Sequence, residues 1–217
     1  MKKFIIAPLV ASAGVLFGHA GAQAAEFVTG TSPQDVQAVL QASFQEKGIA
    51  KLDRLDQSPM QKVCSQADMT GKPLSNEELA GITKQALASI KYPADGKYMG
   101  DWKAGEKVAQ NGRGLQFSDK AGAINGGNCY ACHQMTKAEI SFGNIGPSLL
   151  HYGKLRGSSK EIVEYTWNKI YDSHASAACS TMPRFGAAAI LTEAQLKDVM
   201  ALLLDPESPV NKDGVAQ

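Results

Sequence analysis

Five consecutive residues, Cys129 to His133, carry the clearest chemistry in the sequence. They read Cys-Tyr-Ala-Cys-His, which places two thiols three positions apart and an imidazole directly after the second thiol. In an exported chain this spacing is the attachment motif for c-type haem, in which Cys129 and Cys132 add to the two vinyl groups and His133 reaches one face of the iron. A redox dithiol would not need His133, and a zinc site would need two further ligands nearby. The sequence therefore predicts one covalently bound haem c.

A second axial ligand to the iron must come from far along the chain. The candidates are Met182, His151, His174, Cys179 and the remaining methionines. Met182 precedes Pro183 in an irregular stretch, and the proline stiffens the backbone beside the thioether. Met135 lies too close to His133, and Met200 continues the apolar face of a predicted helix. We therefore predict a His/Met-ligated iron with Met182, and keep His174 and His151 as alternatives.

Two cysteines remain outside the haem motif, Cys64 and Cys179. In a compartment that tolerates disulfides we predict that they form one. Two buried thiols, or a reactive thiol at Cys179, are the alternatives. The disulfide would connect the N-terminal part of the chain to the segment that carries Met182.

The first 24 residues are typical of a secretory signal peptide. Lys2 and Lys3 precede an apolar run at residues 4–17 that is too short to span a bilayer, and residues 22–24 read Ala-Gln-Ala, a small-x-small cleavage site. A buried helix or a membrane anchor is the alternative. Cleavage near Ala24 leaves 20 basic and 21 acidic residues, a balance that argues against nucleic-acid binding. We expect a periplasmic mature chain with no membrane span.

Helix signals dominate the rest of the chain. Capping residues followed by apolar residues at helical spacing predict helix starts at Ser32, Ser75, Asp101, Ser159 and Thr192. Gly48 is the expected end of the first helix, and Pro206 stops the last one. Residues 111–128 are glycine-rich and are predicted as loop. No alternating strand pattern appears, so the prediction is an all-α fold: signal peptide 1–24, helical N-terminal extension 25–94, haem domain 95–206 and C-terminal tail 207–217.

Three segments resemble class I cytochromes c in order and spacing. They are residues 129–133, Gly-Pro-Ser-Leu at 146–149 and Met-Pro-Arg-Phe at 182–185. The resemblance covers about residues 97–206. It implies that Pro147 packs on the haem and that its carbonyl orients His133. It also implies that the helices near 102–110 and 193–204 cross.

Longer stretches are similar to the SoxX family, the monohaem subunits of the SoxAX cytochromes of bacterial thiosulfate oxidation. They are residues 126–133, 143–149, 152–153 and 182–186. The resemblance implies a heterodimer with a SoxA-like dihaem or monohaem cytochrome. That complex, an L-cysteine S-thiosulfotransferase, joins thiosulfate oxidatively to a cysteine of the carrier SoxYZ. This chain would relay the electrons to a small acceptor cytochrome and would not be catalytic alone.

Two other functions remain open at this point. A free-standing periplasmic electron shuttle would use the same haem residues, although a shuttle does not need the extension at 25–94. A haem enzyme with an open sixth position is disfavoured by Met182, because a bound thioether blocks access to the iron.

Overall fold

Side-chain caps start most of the helices in the computed structural model, which describes residues 32–212. The seven α-helices are α1 Pro33–Ser43, α2 Pro59–Thr70, α3 Asn76–Ser89, α4 Trp102–Gln110, α5 Tyr152–Arg156, α6 Lys160–Tyr171 and α7 Glu193–Leu204. Short 3-10 turns occupy Leu52–Leu55, Cys129–Ala131 and Ser173–Ala175. The described residues contain no β-strand, so the all-α prediction is confirmed. The predicted signal peptide lies outside the described residues.

The predicted capping residues are at the helix starts. The Ser75 and Thr192 hydroxyls each accept a hydrogen bond from the third helical amide, and Glu78 and Gln195 complete the two capping boxes. The Asp101 carboxylate caps α4 by accepting a hydrogen bond from the second helical amide, that of Lys103. The expected end of α1 at Gly48 is wrong, because the helix ends at Ser43.

Helix α2 was not among the predicted helices, although its signal is present. The Ser58 hydroxyl accepts a hydrogen bond from the Gln61 amide, the Gln61 side chain accepts one from the Ser58 amide, and Pro59 occupies the first helical position. Gly71 ends the helix in the left-handed region at φ 63°. These are the same start and stop rules that locate the other helices.

Helices α4 and α7 cross at close range. A Cβ at Gly105 would overlap the backbone oxygen of Asp198, so only glycine allows this approach. The Gly100 amide donates to the Lys197 carbonyl at 2.9 Å, and the Asp101 amide donates to the Asp198 carboxylate at 2.8 Å. The crossing implied by the cytochrome c resemblance is present.

The main core lies between α4, α6 and α7. Its fully buried members include Trp167 on α6 and Met200 and Leu202 on α7, each at most 1% exposed. Tyr98 packs edge-on against Trp167, with ring centroids 5.4 Å apart. Met200 is therefore a core residue, as its place on the apolar face of α7 predicts.

A smaller apolar cluster joins α2 and α3 to the segment before Met182. Its buried members are Met60, Ile82, Ala86 and Ala175. The Cys64–Cys179 disulfide closes this cluster across 115 residues. Residues 41–94 thus share one compact unit with residues 95–212, while residues 32–40 belong to another unit.

Candidate haem site

The haem-attachment motif sits on a short turn that follows α4. The turn Cys129–Ala131 starts from Asn128, which adopts a left-handed conformation at φ 49°. The Gly127 amide donates to the Val108 carbonyl at 2.8 Å, which ties the motif to the end of α4. The His133 amide donates to the Cys129 carbonyl at 2.9 Å, so the turn carries both thiols and the imidazole as one folded unit.

The ring of His133 is fixed by the segment at 146–147. Its Nδ1 lies 2.7 Å from the Pro147 carbonyl oxygen. Because a carbonyl only accepts, Nδ1 carries the proton and Nε2 keeps its lone pair for a metal. Gly146 passes so close that a Cβ there would overlap the imidazole. Pro147 thus has the orienting contact that the resemblance implies.

Both thiols, His133 and Met182 line one cavity of about 670 Å³. The cavity is within the range of small-molecule and cofactor pockets. Much of its wall is apolar and includes Met135, Leu149, Ile170, Phe185, Leu191 and Val199. A flat, largely apolar macrocycle with an iron at its centre fits this donor set, because the thiols, the imidazole and the thioether face the same space.

Met182 is held by a compact loop after the 3-10 turn at Ser173–Ala175. The Ser173 hydroxyl donates to the Met182 carbonyl at 2.6 Å, and the Met182 amide donates to the Ser180 hydroxyl at 3.3 Å. His174 is buried, with Nε2 3.2 Å from the Ser180 carbonyl. Neither His174 nor His151 lines the cavity, so the geometry favours Met182 over both alternatives.

Polar and titratable groups surround the haem-attachment motif. Burial raises the pKa of the Cys129 thiol to about 12. Next to it the Tyr130 hydroxyl donates to Glu106 at 2.9 Å and lies 3.1 Å from the Thr136 hydroxyl. Burial also raises the pKa of Glu106, and the hydrogen bond from Tyr130 lowers it in part. The sequence did not predict this cluster. The one signal for it is that Tyr130 lies inside the haem-attachment motif.

The fold and the cavity together define a c-type cytochrome. Residues 102–205 match the cytochrome c family model. The chain is also 35% identical over 218 residues to an uncharacterized lipoprotein of Aquifex aeolicus (strain VF5), with 98% of this chain and 100% of that protein covered. The chain belongs to the same family as the Aquifex protein. It contains a cytochrome c domain, and its cofactor is a covalently bound haem c attached through the motif at Cys129 and Cys132.

No helix between residues 32 and 212 is long and apolar enough to cross a bilayer.

Proposed function

We propose that this cytochrome holds its iron between His133 and Met182 and serves as the electron-accepting subunit of a SoxAX-like complex. The observation that carries the electron-transfer role is the joint placement of His133 and Met182 on the cavity that contains both haem thiols. The thiosulfate role rests on the resemblance to the SoxX family, which residues 126–133, 143–149, 152–153 and 182–186 carry.

The haem supplies one-electron redox chemistry when it is bound. The His133 Nδ1–H donates a hydrogen bond to the Pro147 carbonyl, which would leave Nε2 with its lone pair available to hold the iron. Met182 supplies a thioether, which favours reduced iron over a harder ligand and so suits an electron carrier. With His133 and Met182 both holding the iron, this chain would offer no open coordination site for sulfur chemistry. The partner subunit must therefore supply the site at which thiosulfate reacts.

Exposed aliphatic side chains at the rim of the cavity support a partner there. Ile145 and Leu155 line the cavity with much of their surface exposed, so the bound haem would cover the part of each side chain that faces it and the remainder would form an apolar rim. A docked subunit would bury this rim and bring its own redox centre close to the haem edge.

The cytochrome c domain and the lipoprotein relative both indicate an exported protein. The finer part of the proposal is a periplasmic chain whose signal peptide is cleaved near Ala24. The mature N-terminus, read by intact mass of the exported protein, tests this part.

Reconstitution tests the complex. The purified holo-chain should be reduced and reoxidised but should not oxidise thiosulfate alone. Adding a SoxA-like cytochrome should give a heterodimer, and thiosulfate-dependent reduction of an acceptor cytochrome should appear only when a SoxYZ-like carrier is also present. Thiosulfate oxidation by this chain alone would overturn the assignment. Absence of binding, with fast electron exchange to unrelated periplasmic acceptors, would favour the free shuttle.

A rim variant sharpens the test. Ile145→Asp should weaken binding to the SoxA-like partner by about tenfold or more, because it places a charge in a dry contact. Ile124→Asp is the matched control, since Ile124 is 79% exposed and lies outside the cavity. Equal binding by the two variants would place the partner elsewhere on the surface.

A further inference from the structure

The charges on the wall of the haem cavity are all of one sign. Two of the residues that line the cavity, Arg156 and Lys169, are an arginine and a lysine. None of the lining residues is an aspartate or a glutamate. With these two side chains protonated, the wall thus carries a formal charge of plus two. Haem c has two propionate groups, which carry a formal charge of minus two.

Arg156 is placed at the cavity mouth by two aromatic rings. Its guanidinium carbon lies 5.1 Å from the ring centroid of Tyr152 and 5.7 Å from that of Tyr165. Tyr152 is itself fixed, because its hydroxyl lies 2.8 Å from that of Thr166. Within residues 32–212 no carboxylate forms an ion pair with Arg156. The rings therefore hold the guanidinium in place and leave its hydrogen-bond donors available to an anion.

Lys169 lies one helical turn after Tyr165, on the same face of α6. Burial lowers the pKa of its ammonium group, and the acceptor within reach is the Ser173 carbonyl at 3.4 Å. No carboxylate of the described part of the chain pairs with it. A half-buried ammonium without an anionic partner is costly, so an anion inside the cavity would stabilise it.

We propose that Arg156 and Lys169 form the propionate subsite of this cytochrome, so that the edge of the haem opposite its thioether bonds faces α5 and α6. Two cations then balance two carboxylates, and Arg156 can bind its carboxylate through two parallel N–H donors. The assignment depends on the haem site alone and is independent of the proposed partner complex.

Because the thioether bonds keep the haem attached, the subsite can be removed without losing the cofactor. Arg156→Leu and Lys169→Met should each lower the midpoint potential, since loss of a nearby positive charge stabilises ferric iron. Lys160→Met is the matched control: it removes one lysine from α6, and that lysine is exposed and outside the cavity. We expect each subsite variant to shift the potential at least twice as far as the control.

Two further readouts separate a charge pair from a merely structural role. The carboxylate bands in the reduced-minus-oxidised infrared difference spectrum should move in Arg156→Leu and Lys169→Met and stay in place in Lys160→Met. The charge-conserving variants Arg156→Lys and Lys169→Arg should recover most of the potential. If Lys169→Met does not fold, the exposed Arg156 still carries the test. Potentials and carboxylate bands equal to those of the control would overturn the proposal.

Discussion

The identity and orientation of single side chains decide what this iron site can do. His133 is locked by the Pro147 carbonyl on one side and by the close approach of Gly146 on the other. The Met182 backbone is held by two hydrogen bonds: its carbonyl accepts one from the Ser173 hydroxyl, and its amide donates one to the Ser180 hydroxyl. The ring of His133 is thus fixed by the backbone next to it, whereas the Met182 side chain is positioned by a loop. A mutation at Met182 should therefore change the haem site with less effect on the surrounding backbone than a mutation at His133.

Replacing the Met182 side chain should change the ligation of the iron without releasing the haem. In Met182→Ala the two thioether bonds remain, so the cofactor stays attached. The midpoint potential should fall by on the order of 0.1 V, because the ligand that favours reduced iron is gone. Cyanide should bind the ferric protein more readily, and the weak far-red sulfur-to-iron band should vanish. An unchanged spectrum would reopen the choice between His174 and His151.

Glu106 gives the stability of the protein a predictable pH dependence. Burial raises its pKa in the folded state above the unfolded value, so the protonated form is favoured in the fold. The stability that Glu106 contributes is fully present below its unfolded-state pKa, and it is lost as the pH rises through its raised folded-state pKa. Glu106→Gln keeps an acceptor for the Tyr130 hydroxyl. Its Tm should exceed that of the wild type at pH 7, and the two should converge at acidic pH in thermal melts. A constant difference at all pH values would contradict this account.

At the scale of elements, caps and glycines explain most of what could be predicted from the sequence. Ser75, Asp101, Ser159 and Thr192 start helices because their side chains satisfy free amides locally, which is a property of a few adjacent residues. Helix α5 has no such signal: it spans five residues and starts from His151 in a left-handed conformation. Its helical form depends on tertiary contacts, such as that of Tyr152 with Thr166.

The haem-site residues also divide into those that a local sequence pattern indicates and those that only the folded structure brings together. The spacing of the two thiols and His133 singles them out in the sequence, the proline beside Met182 singles out that residue, and the structure places all four on one cavity. The cluster of Glu106, Tyr130 and Thr136 could not be predicted, since its members are brought together by the way the motif packs on α4.

The crossing of α4 and α7 should be intolerant of any side chain at Gly105. Gly105→Ala would place its Cβ against the backbone of Asp198, which has no rotamer to adjust. We expect a loss of about 1–3 kcal/mol in the free energy of unfolding, measured by denaturant titration of the holo-protein. Gly81→Ala is the matched control on α3, because nothing lies within 4 Å of that Cβ, and it should gain up to about 1 kcal/mol. Equal effects of the two changes would show that the helices do not approach as closely as described.

At the scale of the whole molecule, the Cys64–Cys179 disulfide links the helices before the cytochrome c domain to the loop that carries Met182. Cys179 lies three residues before Met182, and the bond closes a loop of 115 residues. Chain-entropy arguments give about 4–5 kcal/mol of stabilisation for a loop of this length. The packing of Met60 and Ile82 beside Ala175 adds apolar contacts to the same junction. Removing the bond should therefore affect both global stability and the hold on Met182.

The double variant Cys64→Ser/Cys179→Ser should lower the free energy of unfolding by up to about 5 kcal/mol and weaken the far-red sulfur-to-iron band. The matched control is the wild type treated with a mild thiol reductant, after which the two freed thiols are methylated and the haem is reoxidised to the ferric state; this opens the bond while keeping both sulfur atoms in the cluster, and the haem thioethers do not react. If the treated wild type matches the double variant, the cross-link itself holds the loop. If only the double variant weakens the band, the sulfur packing holds it. Peptide mapping without reductant checks the bond directly, and two free thiols in the oxidised protein would contradict it.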